Sequence, residues 1–220
     1  SFMVAEFLWI ASGREDVDMV SFYNKNISNF SDNGKIFNGA YGPKIMSQIK
    51  YIADCFRNDL NTRQAVVTIW ERNPGSSKDI PCTIAIQFLH REGKLDMIVN
   101  MRSNDIWLGL PYDFYNFTMI QNYVAFKLGL EIGRYSHFAG SLHLYDQHYE
   151  AANSASTDLR SRSSLIKSEI ITTDELSTLS AYETSIRIPN SIPGAESPRT
   201  EPWISMAKLL ENKCVQVHKT

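Results

Sequence analysis

Apolar positions recur along this chain with two different periods, and they divide it into helices and strands. Residues 2–12 are apolar apart from Glu6 and predict a helix; Val17, Val20, Phe22 or Tyr23, Ile27 and Phe30 predict a second over 17–30. Asp32-Asn33-Gly34 is a turn signal, and Asn38-Gly39-Ala40-Tyr41-Gly42-Pro43 predicts a loop outside regular structure. Ile45, Ile49, Ile52, Phe56 and Leu60 then follow helical spacing until Asp59-Leu60-Asn61-Thr62 breaks it. Three short apolar, β-branched runs predict strands over 65–70, 82–89 and 95–101, the last two joined by the hairpin signal Arg91-Glu92-Gly93-Lys94. Helical spacing returns over 114–129. A strand is expected over 137–145, a polar helix near 147–158 and a short helix over 204–215; residues 189–202, with four prolines, read as extended. Helices and strands mix without a βαβ rhythm, which predicts an α+β fold.

Composition narrows the class without naming a function. The 220 residues are 43% hydrophobic and 21% charged, outside the disordered regime and enough for a sizeable core without disulfides. The formal charge of −2 argues against nucleic acid as main partner, although a few local arginines suffice for one phosphate. Three cysteines, Cys55, Cys82 and Cys214, with no CxxC, argue against a disulfide framework or a metal cluster and favour a reducing cytoplasmic setting. No apolar run approaches the ~20 residues of a membrane span, and no signal peptide opens the chain. The start reads as the middle of a buried element, which predicts a segment before Ser1.

Taken singly, the polar residues have ordinary readings. Cys82 in a strand is a buried thiol, and Glu6 is a solvent-facing residue at a helix start. Arg102 and Asp105 are a surface ion pair, His143 and Tyr145 a packed pair, and Asp113 a helix cap. Together they form an order. Pro81-Cys82 with Gln87 is followed by Arg102-Ser103-Asn104-Asp105, then Leu108-Gly109-Leu110-Pro111-Tyr112-Asp113, then His143-Leu144-Tyr145-Asp146-Gln147-His148. Upstream lie Glu6-Phe7-Leu8-Trp9, Gly39-Ala40-Tyr41-Gly42 and Thr62-Arg63. This series, over roughly residues 5–150, resembles the thymidylate synthase family, whose signatures run PCH…Q, RSxD, LGxPFN and HLYxxH.

The resemblance implies a mixed sheet packed with helices and a sheet-to-sheet homodimer, with a catalytic core over 1–160 and a divergent extension over 161–220. It implies that Cys82 adds to C6 of a pyrimidine nucleoside monophosphate, activating C5 towards the one-carbon unit of 5,10-methylenetetrahydrofolate. A thiol suits that role, being strongly nucleophilic once cations lower its pKa. Arg102 and Ser103 are then expected at the phosphate, with Arg63 reaching the phosphate of the neighbouring subunit's site. Glu6 and Tyr41 would organise water and proton transfer, Gln87 would contact the nucleotide, and His143 and Tyr145 the sugar hydroxyl. Asp105, Gly109 and Trp9 would face the reduced folate.

Departures from the pattern carry the finer expectation. The family's PFN reads Pro111-Tyr112-Asp113 here. An Asn amide complements uracil, which donates from N3 and accepts at O4. Cytosine inverts that edge, and a carboxyl group whose proton is shared with the ring complements it. Cys-His reads Cys82-Thr83, and the stretch 99–105 is similar to phage deoxycytidylate hydroxymethylases, in which water captures the exocyclic methylene. The resemblance therefore implies C5 hydroxymethylation of CMP or dCMP. The alternatives are a divergent synthase acting on dUMP and a catalytically silent nucleotide- or RNA-binding member. Gln64 replaces the second Arg of the family's phosphate segment.

Overall fold

The computed structural model describes residues 1–157 and 171–218. At its centre is a four-stranded sheet of β1 (Val66–Thr68), β2 (Thr83–Arg91), β3 (Lys94–Met101) and β5 (Glu131–Ala139), in the spatial order β1-β2-β3-β5. A separate parallel pair is made by β4 (Asn104–Asp105) and β6 (Leu142–His143). The helices are α1 (Phe2–Ala11), α2 (Val17–Tyr23), α3 (Tyr41–Met46), α4 (Ile49–Asn58), α5 (Leu110–Leu128), α6 (Tyr149–Thr157), α7 (Thr173–Arg187) and α8 (Trp203–His218). The fold class is α+β, as expected.

The β2–β3 hairpin forms where the sequence places it. Glu92 (φ 51°) and Gly93 (φ 78°) both sit in the left-handed region that a two-residue turn between twisted strands requires. Ile86, Phe88, Leu95, Met97, Val99 and Met101 are buried under the helices. The opposite face, by strand alternation, carries Gln87, Ile98, Asn100 and Phe138, the last 59% exposed. β3 and β5 are parallel and α5 crosses between them, so one βαβ unit sits inside a mixed sheet.

Several element boundaries differ from the periodicity, each for a local reason. The helix expected over 17–30 stops at Tyr23, because the Asn24 side chain accepts from the backbone N–H of Asn26 and restarts the chain as a 3-10 helix, Lys25–Phe30. The loop expected over 38–43 instead becomes α3 from Tyr41, where Gly42 packs so closely that a Cβ would lie 2.7 Å from the Arg14 carbonyl oxygen. The helix expected over 45–60 is broken at Ser47–Gln48. The Gln48 amide donates to the carbonyls of Lys44 (2.6 Å) and Thr68 (2.9 Å), binding the break to β1. α5 begins at Leu110 rather than 114.

The strand expected over 137–145 starts six residues early and ends at Ala139. Gly140 and Ser141 turn the chain by donating to the carbonyls of Met101 and Arg102 before β6 begins. Its early part was hidden by Gly133, whose missing Cβ leaves room for the Asp96 carboxylate that accepts from the Arg134 N–H (2.7 Å). The polar helix is α6, and the last residue predicted for it, 158, lies outside the described residues, as does the expected boundary at 160. Residues 189–202 are turns and bends, with Asn190 and Gly194 at positive φ, and α8 follows from Trp203.

Periodicity gave no sign of α7, yet its start is marked by a capping box. Thr172 accepts from the Glu175 N–H while the Glu175 carboxylate accepts from the Thr172 N–H. α7 and α8 pack against α1, adding Leu176, Leu179, Trp203, Met206 and Leu210 to the core. The link is polar at one point. Glu183, wholly buried, accepts from Arg187 Nε (2.6 Å) and Nη2 (3.3 Å) and from the Tyr23 hydroxyl (2.9 Å) on α2. Removing one member of a buried pair strands the other charge. Glu183→Ala is therefore expected to destabilise the fold by about 3–5 kcal/mol in urea denaturation, and a loss below about 1 kcal/mol, the scale of an exposed pair, would contradict this account.

Candidate active site

The site is built on α1 and α5, which contribute two carboxyl groups and an amide to an otherwise largely apolar contact. Glu6 is the one acidic residue of α1, and its Oε2 accepts from Asn116 Nδ2 at 2.8 Å. One turn before Asn116 on α5, Asp113 Oδ2 accepts from Asn104 Nδ2 at 2.5 Å. Burial raises the pKa of each carboxyl to about 7, against the bonded amide, and Asp113 adds repulsion to Glu6. Asp113 is not the helix cap: Gly109 occupies that position without a side-chain bond. Nor is Glu6 solvent-facing.

Tyr41 opens α3 with its ring stacked on Phe117 of α5, centroids 5.9 Å apart and planes 18° apart. Its hydroxyl accepts from the Thr83 N–H (3.3 Å), and burial, with Asp113 adding, pushes its pKa well up. Cys82 lies just before β2, half-buried rather than sealed in the core. Burial raises its thiol pKa, Arg102 lowers it, and Asp113 and Asp79 raise it. A neutral Asp113 is thus the state that least opposes a Cys82 thiolate.

Arg102 is held against the loop that carries Cys82. Nε donates to the Pro81 carbonyl (3.0 Å), Nη2 to the Ile80 carbonyl (3.1 Å), and the backbone N–H to the Cys82 carbonyl (2.8 Å). The guanidinium lies 5.8 Å from the centroid of the Trp70 ring. It is exposed, so its remaining donors can meet an anion. It does not pair with Asp105, which accepts from the N–H groups of Trp107 and Leu108 and steers the chain into α5.

A cavity of about 210 Å³ brings together Glu6, Trp9, Tyr41, Cys82 and Asp113. Val20, Ile27, Phe30 and Phe37 give it an apolar wall, and Trp9 is fixed there by donating to the Asp16 carbonyl (2.9 Å). Arg102 adjoins through residues 80–82. The other predicted residues do not line this cavity. His143 and Tyr145 stack edge to face with centroids 5.0 Å apart, beside Asp105 on the β4–β6 pair. Gln87 donates to the Arg63 carbonyl (3.0 Å) at the β1–β2 side, and Ser103 is half-buried between β3 and β4. Gly109 matters sterically: a Cβ there would lie 3.2 Å from Asn104 Nδ2 and press on the amide that holds Asp113.

Three site residues escaped the sequence reading. Asn104 stands within the Arg-Ser-Asn-Asp motif, and Asn116 follows Asp113 at helical spacing. Asp79, also in the cavity wall, accepts from the Gly39 N–H at 2.6 Å. A helix starting at Leu110 sets Asn116 one turn after Asp113, whereas nothing in the spacing marks Asn104 on β4.

The raised carboxyls make a signed prediction. Asp113 moves from 3.8 unfolded to about 7 folded, so the folded form holds the extra proton between those values and loses stability as pH rises through the window. The stability of Asp113→Asn relative to the unsubstituted chain should therefore grow between about pH 3 and 8, by on the order of 4 kcal/mol. Chemical denaturation at several pH values measures it, and a flat difference would show an exposed carboxyl.

The motif order and this geometry meet in the comparisons. The thymidylate synthase pattern matches residues 1–186. The chain belongs to the thymidylate synthase family. It is 37% identical over 172 residues to a deoxyuridylate hydroxymethyltransferase of Bacillus phage SP01, covering 68% of this chain and 44% of that protein. A Pseudomonas phage M6 protein of the same name is 31% identical over 156 residues, covering 66% and 44%. A putative thymidylate synthase of Methanocaldococcus jannaschii is 31% identical over 128 residues, covering 56% and 58%. The chain spans about half the length of the curated relatives it matches. Among solved structures, thymidylate synthase A of Bacillus subtilis superposes with a TM-score of 0.60 and the T4 phage synthase with 0.61. Each is 24% identical; they cover 69% and 70% of this chain, which covers 60% and 62% of theirs, and this likeness shows the fold. Among the described residues no helix is long and apolar enough to cross a membrane.

Proposed function

We propose that this chain carries the catalytic core of a folate-dependent hydroxymethylase that acts at C5 of a cytidine monophosphate, CMP or dCMP. One observation carries the base assignment: a carboxyl, Asp113, shares the cavity with Cys82, is held there by the Asn104 amide, and has its pKa raised to about 7 by burial. Such a group donates to N3 and accepts from the amino group of cytosine. The names of the two phage relatives support hydroxymethyl transfer to a pyrimidine nucleotide, and they make dUMP the alternative acceptor.

Cys82 Sγ forms a bond to C6, and the ring gains electron density at C5. The one-carbon unit comes from 5,10-methylenetetrahydrofolate, which supplies a carbon at the oxidation level of formaldehyde. The apolar wall of Trp9, Ile27, Phe30 and Phe37 is proposed to receive the flat heteroaromatic ring of the folate, with Asp105 and Gly109 outside the cavity at that ring's edge. Glu6, poised near neutrality, takes the C5 proton or relays it through water, with Tyr41 completing the hydrogen-bond chain. C5 would bond to that carbon as its bonds to the folate nitrogens break, and tetrahydrofolate leaves with the protons given up by C5 and by water. The hydroxyl of water adds to the exocyclic carbon, the S–C6 bond breaks, and Cys82 is regenerated. Arg102 and Ser103 are proposed at the phosphate, His143 and Tyr145 at the sugar, and Gln87 at the nucleotide.

A homodimer through the open face of the sheet, which exposes Phe138, would carry Arg63 to the neighbouring site. Absorbance during turnover tests the reaction type. A hydroxymethylase releases tetrahydrofolate with no absorbance rise, whereas a rise from dihydrofolate would mean a synthase.

A further inference from the structure

A carboxylic acid presents one donor and one acceptor, and moving its proton between the two oxygens reverses their order. With the proton on one oxygen the group complements cytosine; with the proton on the other it complements uracil. Asp113 by itself therefore does not choose between the bases. Something must fix which oxygen carries the proton.

We infer that Asn104 makes that choice, as a positioning residue that sets the base specificity of Asp113. Its Nδ2 donates to Asp113 Oδ2 at 2.5 Å, which commits Oδ2 to accepting and confines a proton on the carboxyl to Oδ1. We place Oδ2 towards the exocyclic position of the base, where its second lone pair accepts from the amino group, and Oδ1–H towards N3. This rests on the cytosine reading above and gives it a source in the fold.

Three features say that this bond is what Asn104 is for. The residue is only 4% exposed, and its backbone N–H is tied to the Ser141 carbonyl (2.9 Å) in the β4–β6 pair, so the side chain leaves from a fixed point. Among the described residues its buried Oδ1 has no hydrogen-bond partner, so there the amide bonds to Asp113 alone. Buried side-chain polar atoms are ordinarily bonded, and an amide placed for packing would be held at both ends. Gly109 supplies the room, since a Cβ there would crowd Nδ2. The neutral carboxyl that the choice requires is the one burial favours at Asp113.

The test compares the full chain with its Asn104→Ala and Asn104→Asp variants. For each, kcat/KM is measured for dCMP, CMP and dUMP across the neutral pH range. Asn104→Asp keeps the shape and replaces the donor by a second acid competing for the same proton, so it decides the matter if the alanine variant fails to fold. The preference for cytosine over uracil should fall about tenfold or more in each variant. In Asn104→Asp the limb of the pH profile that reports Asp113 should move up by about one unit. Equal losses on both bases, with an unchanged ratio and an unmoved profile, would reduce Asn104 to packing and overturn the inference. Turnover of dUMP alone by the unsubstituted chain would overturn the cytosine reading instead. In that case a tenfold shift towards cytosine in the variants would still support selection by Asn104, and an unmoved ratio would overturn it.

Discussion

Replacing Cys82 by serine is expected to lower turnover by about a thousandfold or more while a pyrimidine monophosphate still binds. The hydroxyl is a far weaker nucleophile and ionises far less readily than the thiol, so it gains much less from the cation that Arg102 places against residues 80–82. Binding should survive, because the proposed contacts to base, phosphate and sugar come from Asp113, Arg102 and the β4–β6 pair. Pre-steady-state product formation and equilibrium titration measure the two effects separately. Retention of turnover within tenfold would remove Cys82 from the chemistry, and absence of turnover in the unsubstituted chain would favour the silent, nucleotide-binding alternative.

Asp113→Asn is expected to move the substrate preference from cytosine towards uracil by at least about a hundredfold. The amide cannot move its donor by shifting a proton. In the uracil-binding orientation its oxygen accepts from N3–H and its NH₂ donates to O4, with the Asn104 amide turned so that its unpartnered Oδ1 accepts from that NH₂. Cytosine then meets it with an unmatched N3 lone pair and an opposed amino group. A mispaired polar group in a site this buried carries its full desolvation penalty. The uracil edge is matched by the same amide without any ionisation. The substitution also removes the carboxyl that titrates near neutrality beside Glu6, so the pH profile of the variant should lose one limb. An unchanged base ratio would place recognition elsewhere.

The candidate site was legible because its parts are short and ordered. Glu6 in an apolar helix, Tyr41 after two small residues, Cys82 after a proline and Asp113 after Pro111-Tyr112 kept their identities across long separations, and the fold brings all four to one cavity. What the sequence hid was the second layer. Asn104 and Asn116 look like ordinary polar residues in a loop and a helix, and their meaning depends on which carboxyl each faces across β4, α5 and α1. Asp79 needs Gly39 beside it to count, a contact between loops forty residues apart. The helices over 17–30 and 45–60 were misread for a similar reason. Asn24 and Gln48 break them through side-chain bonds, and the apolar spacing runs on unaltered across each break. α7 was missed although Thr172 and Glu175 stand at capping-box spacing, because its apolar stripe is narrow.

Incubation of the full chain with 5,10-methylenetetrahydrofolate and, separately, CMP, dCMP and dUMP, with products identified by mass and fragmentation, tests the central claim most directly. The account predicts a cytosine nucleotide heavier by one CH₂O unit, carried on C5, with tetrahydrofolate as co-product. Conversion of dUMP alone, to either a hydroxymethyl or a methyl product, would contradict it.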